Sequence, residues 1–187
     1  SSITCAGDFT TSGGLLGASC LELDSSNTEY VQIADDAKLD LPSSSNEITI
    51  ECWFKSGDGD NAQYIFDRRT GDNQYYMYLV DSDDTLAAKV YTDGTTNELS
   101  SSPLDIIDDK WHHAALVYDQ DGDKTGTTYN HQLWIDGKMV DGEAGTGAIA
   151  ASASMLLIGA RNGWTTYMNG AIDEVRLWSV ARTGTQI

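Results

Sequence analysis

Lys110-Trp111-His112-His113-Ala114-Ala115-Leu116-Val117-Tyr118, an acidic connection, and Gln132-Leu133-Trp134-Ile135-Asp136-Gly137-Lys138-Met139-Val140 read as a β-hairpin followed by a further strand. In the second arm Leu133 and Ile135 alternate with Gln132, Trp134 and Asp136, the period of two that lays one apolar face on a core. Asp136-Gly137 then predicts a tight type I′ turn, since glycine tolerates the positive φ that the turn demands.

The same alternation recurs on either side. Ile48, Ile50, Cys52 and Phe54 make a core face within Glu47 to Lys55, leaving Thr49, Glu51 and Trp53 on the other. Tyr75, Met77 and Leu79 alternate with Tyr76, Tyr78 and Val80, and Gln63 to Asp67, Leu86 to Tyr91, Met155 to Gly159 and Ala171 to Trp178 add strands. Ala34 to Leu41 is expected to form at most a brief helical turn before Pro42. Roughly a dozen short strands between turn signals predict an all-β fold, an antiparallel two-sheet sandwich spanning residues 1–187 as one domain, with no linker or repeat.

With 40% hydrophobic residues among 187 the chain can bury a core. Eleven Lys+Arg against 29 Asp+Glu give a net charge of −18, which argues against nucleic acid, whose phosphates require a clustered basic surface. That balance suits divalent cations or saline surroundings. No apolar run is long enough for a membrane-spanning helix, and Ser1-Ser2-Ile3 does not resemble a signal peptide, so a mature or excised domain is expected. Of the three cysteines, Cys5 and Cys20 flank a glycine-rich segment and are expected to pair, with Cys52 a buried free thiol; the alternative is three unpaired thiols in a reducing cell. Thiol labelling under denaturing, non-reducing conditions separates the two.

Tyr30-Val31-Gln32-Ile33, Ile48 to Phe54, Trp111-His112-His113, Leu133 to Lys138, Leu157-Ile158-Gly159 and Gly170 to Trp178 stand in the order found in laminin G-like jellyroll domains. From about Cys20 to its end the chain resembles that family, within the concanavalin A-like lectin/glucanase and pentraxin group. The resemblance implies a jellyroll of two curved sheets, an extracellular setting, and ligands on the concave sheet or its rim loops, often with calcium. The fold alone does not fix a function.

Catalysis finds little footing. Retaining glycosidases of this fold need a carboxylate pair about 5 Å apart, and no Glu-x-Asp-x-x-Glu occurs; the strand motifs of polysaccharide lyases are also missing. His112 and His113 are expected to pack, and His131 to be exposed. For calcium, which takes six to eight oxygens, the expected ligands are Asp24, Asn27 and Asp173. Asp173 alternates with Val175 and Leu177 and so leans towards the apolar side, where a carboxylate needs a cation or hydrogen-bond donors; related domains place calcium between such an aspartate and the early chain. Asp72-Asn73 resembles a pentraxin calcium pair, but Arg161 stands where that family has acidic groups. Asp119-Gln120-Asp121-Gly122-Asp123 spaces its oxygens like an EF-hand loop, yet Lys124 replaces the required glycine, so a solvated hairpin tip is expected.

A sugar site combines an aromatic platform with polar hydrogen-bonding groups. Arg161, Asn162, Trp164 and Tyr167 offer that mixture in one loop, and the pentraxin-like resemblance would bring Arg68, Arg69, Asp72, Asn73 and Tyr75 beside it. Trp53, Tyr76, Tyr78 and Trp134 are the alternative, on the concave face. The expectation is a calcium-binding carbohydrate-binding or adhesion module, monomeric, cut from a larger secreted or cell-surface protein. The competing reading is a domain that binds protein or only spaces its neighbours. An aromatic cluster open to solvent would favour the first, and a face filled by the chain itself the second.

Overall fold

The structure is a computed structural model. It describes all residues except 1–2, 7, 11–13, 16, 18, 37–38, 40–45, 58–60, 70–73, 81–82, 151 and 164–165, and only the backbone of 3–6 and 8–10. In chain order its strands are β1 (Ile3–Ala6), β2 (Asp8–Thr10), β3 (Cys20–Leu23), β4 (Tyr30–Ile33), β5 (Glu47–Lys55), β6 (Gln63–Arg68), β7 (Tyr75–Leu79), β8 (Leu86–Val90), β9 (Leu99–Ser100), β10 (His112–Asp119), β11 (His131–Ile135), β12 (Lys138–Glu143), β13 (Leu156–Ile158) and β14 (Gly170–Trp178). They form two seven-stranded sheets: sheet I, ordered β1-β4-β13-β6-β7-β8-β9, and sheet II, ordered β12-β11-β10-β5-β14-β3-β2. Every pairing is antiparallel, the sandwich that the alternating pattern predicts.

The core lies between the sheets. Ile48, Ile50, Cys52 and Phe54 of β5 face Tyr75, Met77 and Leu79 of β7 and their neighbours, as alternation requires. Cys52 is a buried free thiol, pushed up to about 12 by burial and by the neighbouring Glu51 charge. Asp136 (φ 50°) and Gly137 (φ 72°) adopt the two left-handed conformations of the expected turn between β11 and β12. The region of the expected turn near Ala34 falls partly outside the described residues.

Two strands break the simple period. The β6–β7 register shifts between Tyr64 and Phe66, and this bulge turns both Ile65 and Phe66 into the core. Tyr64 and Asp67 consequently share the outer face although they are an odd number of residues apart. A second irregularity, between Asp173 and Arg176 of β14, includes Glu174 in a left-handed conformation (φ 51°).

His131 is not exposed as its polarity suggested. It is fully buried, its Nε2 accepting from the Val90 amide at 3.2 Å and its Nδ1 lying 3.1 Å from Glu143 Oε1. Burial opposes its protonation and outweighs the Glu143 charge, so its pKa is lowered.

Candidate functional site

On the outer side of sheet II, Thr49, Glu51 and Trp53 project from β5 beside His113 of β10 and Arg176 of β14. Alternation places these residues on the face away from the core, yet Thr49 is fully buried and Glu51 is 1% exposed. The cause is the end of the chain. Residues 179–187 fold back across the sheet, with the Val180 carbonyl accepting from Thr49 Oγ1 (3.0 Å), the Arg182 amide donating to Thr49 Oγ1 (2.9 Å) and the Ala181 amide donating to Glu47 Oε2 (3.0 Å). Gly184 lies so close to Trp134 that a Cβ there would be 2.5 Å from the indole ring.

Between this roof and the sheet remains a cavity of about 440 Å³ lined by Glu51, Trp53, His113, Asp136, Arg176, Arg182, Gln186 and Ile187. Glu51 organises it. One oxygen accepts from Trp178 Nε1 at 3.1 Å and lies 3.6 Å from Arg176 Nη1, while the other pairs with Arg182 Nη1. His113 lies with its ring 5.1 Å from that of Trp53, and its pKa is lowered by burial, which outweighs the charges of Glu51 and Asp136. Asp136 accepts from the His113 amide at 2.9 Å and meets His112 Nδ1 at 2.9 Å, so the β11–β12 turn is tied to β10. The result is one half-buried indole with a neutral imidazole, a guanidinium and a side-chain amide around it. Such a set suits a small polar ligand with an apolar face.

The outer side of sheet I is built differently. Tyr64 stacks on Tyr78 with centroids 4.8 Å apart, Tyr76 lies 6.5 Å from Tyr64 and 5.9 Å from Tyr91, and Glu98 accepts from the hydroxyls of Tyr76 and Tyr78. Desolvation, then Glu98, drives the Tyr78 pKa up to about 12. Arg69 covers the cluster, its guanidinium 4.0 Å from the Tyr76 centroid and bonded to both oxygens of Asp67 at 2.9 Å. The loop after β13 joins them. Gly159 (φ 81°), where a Cβ would strike Leu23, starts a turn that brings the Asn162 amide to Asp67 Oδ2 (3.1 Å), its side chain to the Arg69 carbonyl, and Arg161 over Tyr64 (5.7 Å).

Of the residues expected at a rim ligand site, the structure therefore gathers Arg69, Arg161 and Asn162, while Tyr167 turns to Tyr30 at 6.5 Å. Arg68 and Tyr75 require correction, because both are fully buried. After the Ile65 bulge Arg68 points inward, and its guanidinium donates to the carbonyls of Leu39 (2.7 Å) and Ser154 (3.1 Å) and to Asp35 (3.0 Å). Asp72, Asn73 and Trp164 lie outside the described residues. Nor do Trp53, Trp134, Tyr76 and Tyr78 share a face: the tryptophans belong to sheet II and the tyrosines to sheet I.

A laminin G-type family model described as the concanavalin A-like lectin/glucanases superfamily matches residues 25–187. The chain belongs to that family. Its solved neighbours share the fold of this concanavalin A-like domain at low identity. The receptor binding domain of botulinum neurotoxin C/D mosaic serotype superposes with a TM-score of 0.72 at 9% identity, over 98% of this chain and 44% of that one. The binding domain of botulinum neurotoxin DC, solved in complex with SialylT, gives 0.67 at 11% identity over 98% and 44%. A structure from work on the cell entry of botulinum neurotoxin type C, dependent upon interaction with two ganglioside molecules, gives 0.68 at 12% over 98% and 44%. The concanavalin A-like domain thus spans less than half the length of each. No curated protein matches its sequence.

The calcium ligands expected for this domain do not converge. Asp173 Oδ2 accepts from the Leu15 amide (3.0 Å) and Oδ1 from the Glu174 amide (2.8 Å), whereas Asp24 caps the 3-10 turn Ser25–Asn27 by accepting from Ser26 N (2.8 Å) and Asn27 Nδ2 (3.2 Å). Gly170 pairs with Leu23 and Ile172 with Leu21, so Asp24 and Asp173 sit at opposite ends of β3, on the order of 13 Å apart along the strands. The trio does not fit one ion. Two residues of the EF-hand-like stretch, Asp119 and Asp123, meet Glu47 of β5 in the one close group of three acidic side chains among the described residues. Lys124 Nζ bridges two of these carboxylates, 2.6 Å from Glu47 and 3.1 Å from Asp123, and buried Asp119 accepts from the amides of Gly122, Lys124 and Thr125. Asp119 anchors the base of the loop, while Asp121, Asp123 and Lys124 stay exposed, as expected of a solvated hairpin tip.

Proposed function

We propose that this chain is a non-catalytic carbohydrate-binding module of a secreted or cell-surface protein, and that a sugar ring lies against Trp53 in the cavity of sheet II. The observation that carries the reading is the half-buried indole set among His113, Arg176 and Gln186 in a walled cavity. The neighbours solved with SialylT and studied with gangliosides lend support at the level of the fold. An oxidising setting goes with the expected Cys5 to Cys20 bridge: Cys20 and Val31 line one small cavity, and Cys5 is the strand partner of Val31.

A glycan array followed by calorimetry tests the reading. Trp53→Ala should weaken the bound glycan about ten- to thirtyfold, roughly 1–2 kcal/mol of stacking, with the melting temperature unchanged. Undiminished binding by a folded Trp53→Ala variant would remove the cavity from the account. The roof formed by residues 179–187 favours the second reading, a protein-binding or spacer domain, and an array blank for all glycans would select it.

Calcium is a separate proposal, to be decided by melting the protein with calcium and with a chelator. A rise with calcium that is lost in Asp24→Ala and kept in Asp173→Ala places the ion at the rim cavity shared by Asp24, Asn27, Glu29 and Asp109. Identical curves retire calcium.

A further inference from the structure

Beside the 3-10 turn Ser25–Asn27, a cleft of about 380 Å³ opens between the β5–β6 and β13–β14 connections, lined by Ser25, Asn61, Gln63, Thr166, Tyr167 and Asn169. It shares no lining residue with the Trp53 cavity. The Trp53 cavity holds Glu51, Asp136, Arg176 and Arg182, and the rim cavity that Asn169 also lines holds Glu22, Asp24, Glu29, Lys55 and Asp109, but no charged side chain lines this cleft. Part of its wall is fixed by the fold. Buried Gln63 accepts through Oε1 from the Asn169 amide at 2.9 Å, and the hydroxyl of buried Ser56 lies 3.2 Å from that oxygen and 3.0 Å from the Asn169 carbonyl, so the two connections are tied to each other. Ser25, Asn61 and Thr166, by contrast, make no hydrogen bond through their side chains among the described residues. Asn61 is exposed and the other two are half-buried. Single exposed polar side chains commonly bond only water, but these three converge on one cleft with a prefixed wall.

We propose that this cleft is a second binding site, independent of the Trp53 cavity, for one neutral sugar ring. A charged ligand group placed there would lose water without gaining a countercharge. The Asn61 amide and the hydroxyls of Ser25 and Thr166 can each donate and accept, which is what a ring of hydroxyls requires of its surroundings. Tyr167, half-buried, adds the aromatic part of the wall for an apolar C–H edge. The volume lies at the lower end of the range for small-ligand sites, so it admits a single ring, and any longer glycan continues outside.

Titration of the nitrogen-15-labelled protein, followed by NMR, tests the proposal with galactose, glucose, mannose and N-acetylglucosamine, and with galacturonic acid and glucosamine as charged counterparts. The buffer holds about 0.15 M salt, so that the net charge of the chain is screened, and the sugars reach about 50 mM, enough to detect a millimolar dissociation constant. At least one neutral sugar should shift the side-chain amide signal of Asn61, identified by its loss in Asn61→Ala, together with the backbone amide of Asn169. The charged counterparts should bind more weakly. A Ser25→Ala, Asn61→Ala, Thr166→Ala triple variant should lose at least tenfold in affinity, read at Asn169, yet melt as the parent does, because those side chains hold no other described group. Trp53→Ala should bind unchanged, and the indole N–H signal of Trp53 reports the other cavity in the same spectra, so each site holds or fails separately. No shift at Asn61 and Asn169 with any neutral sugar, tighter binding of a charged counterpart, full binding by the triple variant, or loss of binding in Trp53→Ala would each overturn the assignment.

Discussion

The two outer faces bury charge by different means. On sheet II a folded-back length of chain roofs Glu51, and the carboxylate is met by Arg182, Trp178 and Arg176. On sheet I no strand or tail among the described residues covers Asp67, whose side chain is nonetheless fully buried beneath Arg69 and the Asn162 loop. A roof of chain can lift and expose what lies below, whereas a lid made of one side chain cannot be removed without orphaning its partner. Coverage by backbone therefore leaves a cavity, and coverage by a guanidinium leaves a sealed patch.

Removing the two lids should show this difference most strongly. Arg69→Ala leaves the Asp67 carboxylate buried with no countercharge and should cost about 3 kcal/mol, read from urea unfolding. Glu51→Ala frees Arg182, which is partly exposed and can turn to water, so a smaller loss of about 1–2 kcal/mol is expected. The reverse order would mean that the tail is as tightly integrated as a core strand. Gly184→Leu forces a side chain into the Trp134 ring and should lift the tail for about 1 kcal/mol, with Trp134 fluorescence shifting towards that of a solvated indole. An unshifted spectrum would show that the roof repacks around the intruder.

The smallest effect is expected from His112, at the edge of the roofed face. Burial alone would lower its pKa, but hydrogen bonds to Asp136 and Asp108 prevail and raise it above the ordinary 6.5. A raised folded value stabilises the protein fully below pH 6.5, and that contribution fades as the pH climbs through the raised value. His112→Gln should therefore narrow the gap in melting temperature between mildly acidic and mildly alkaline buffer. An unaltered gap would show that His112 does not set the pH dependence; buried His131 cannot account for it, since its lowered value acts in the opposite sense.

Strands, faces and the Asp136-Gly137 turn were legible because alternation and positive φ are local properties of a few residues. Coverage was not. Nothing within β5 reveals that residues 179–187 return to cover Thr49 and Glu51, and the same blindness made His131 look exposed. The errors at the candidate site came from phase. One extra residue at Ile65 reverses which side chains of β6 look outward, withdrawing Arg68 and delivering Asp67 to Tyr76. Equal polarity in Arg68 and Arg69 gave no sign of which would be structural. The separation of the tryptophans from the tyrosines was a matter of which sheet each strand joins, and strand order is not written in any one strand.

Lys124 gives the β10–β11 connection a different kind of independence. An ion drawn from solution leaves when its supply is diluted or sequestered, but an ammonium tethered one residue from Asp123 is present at an effective concentration fixed by the chain. Glu47 and Asp123 thereby keep a countercharge that no dilution or chelator removes, and only screening by salt weakens it.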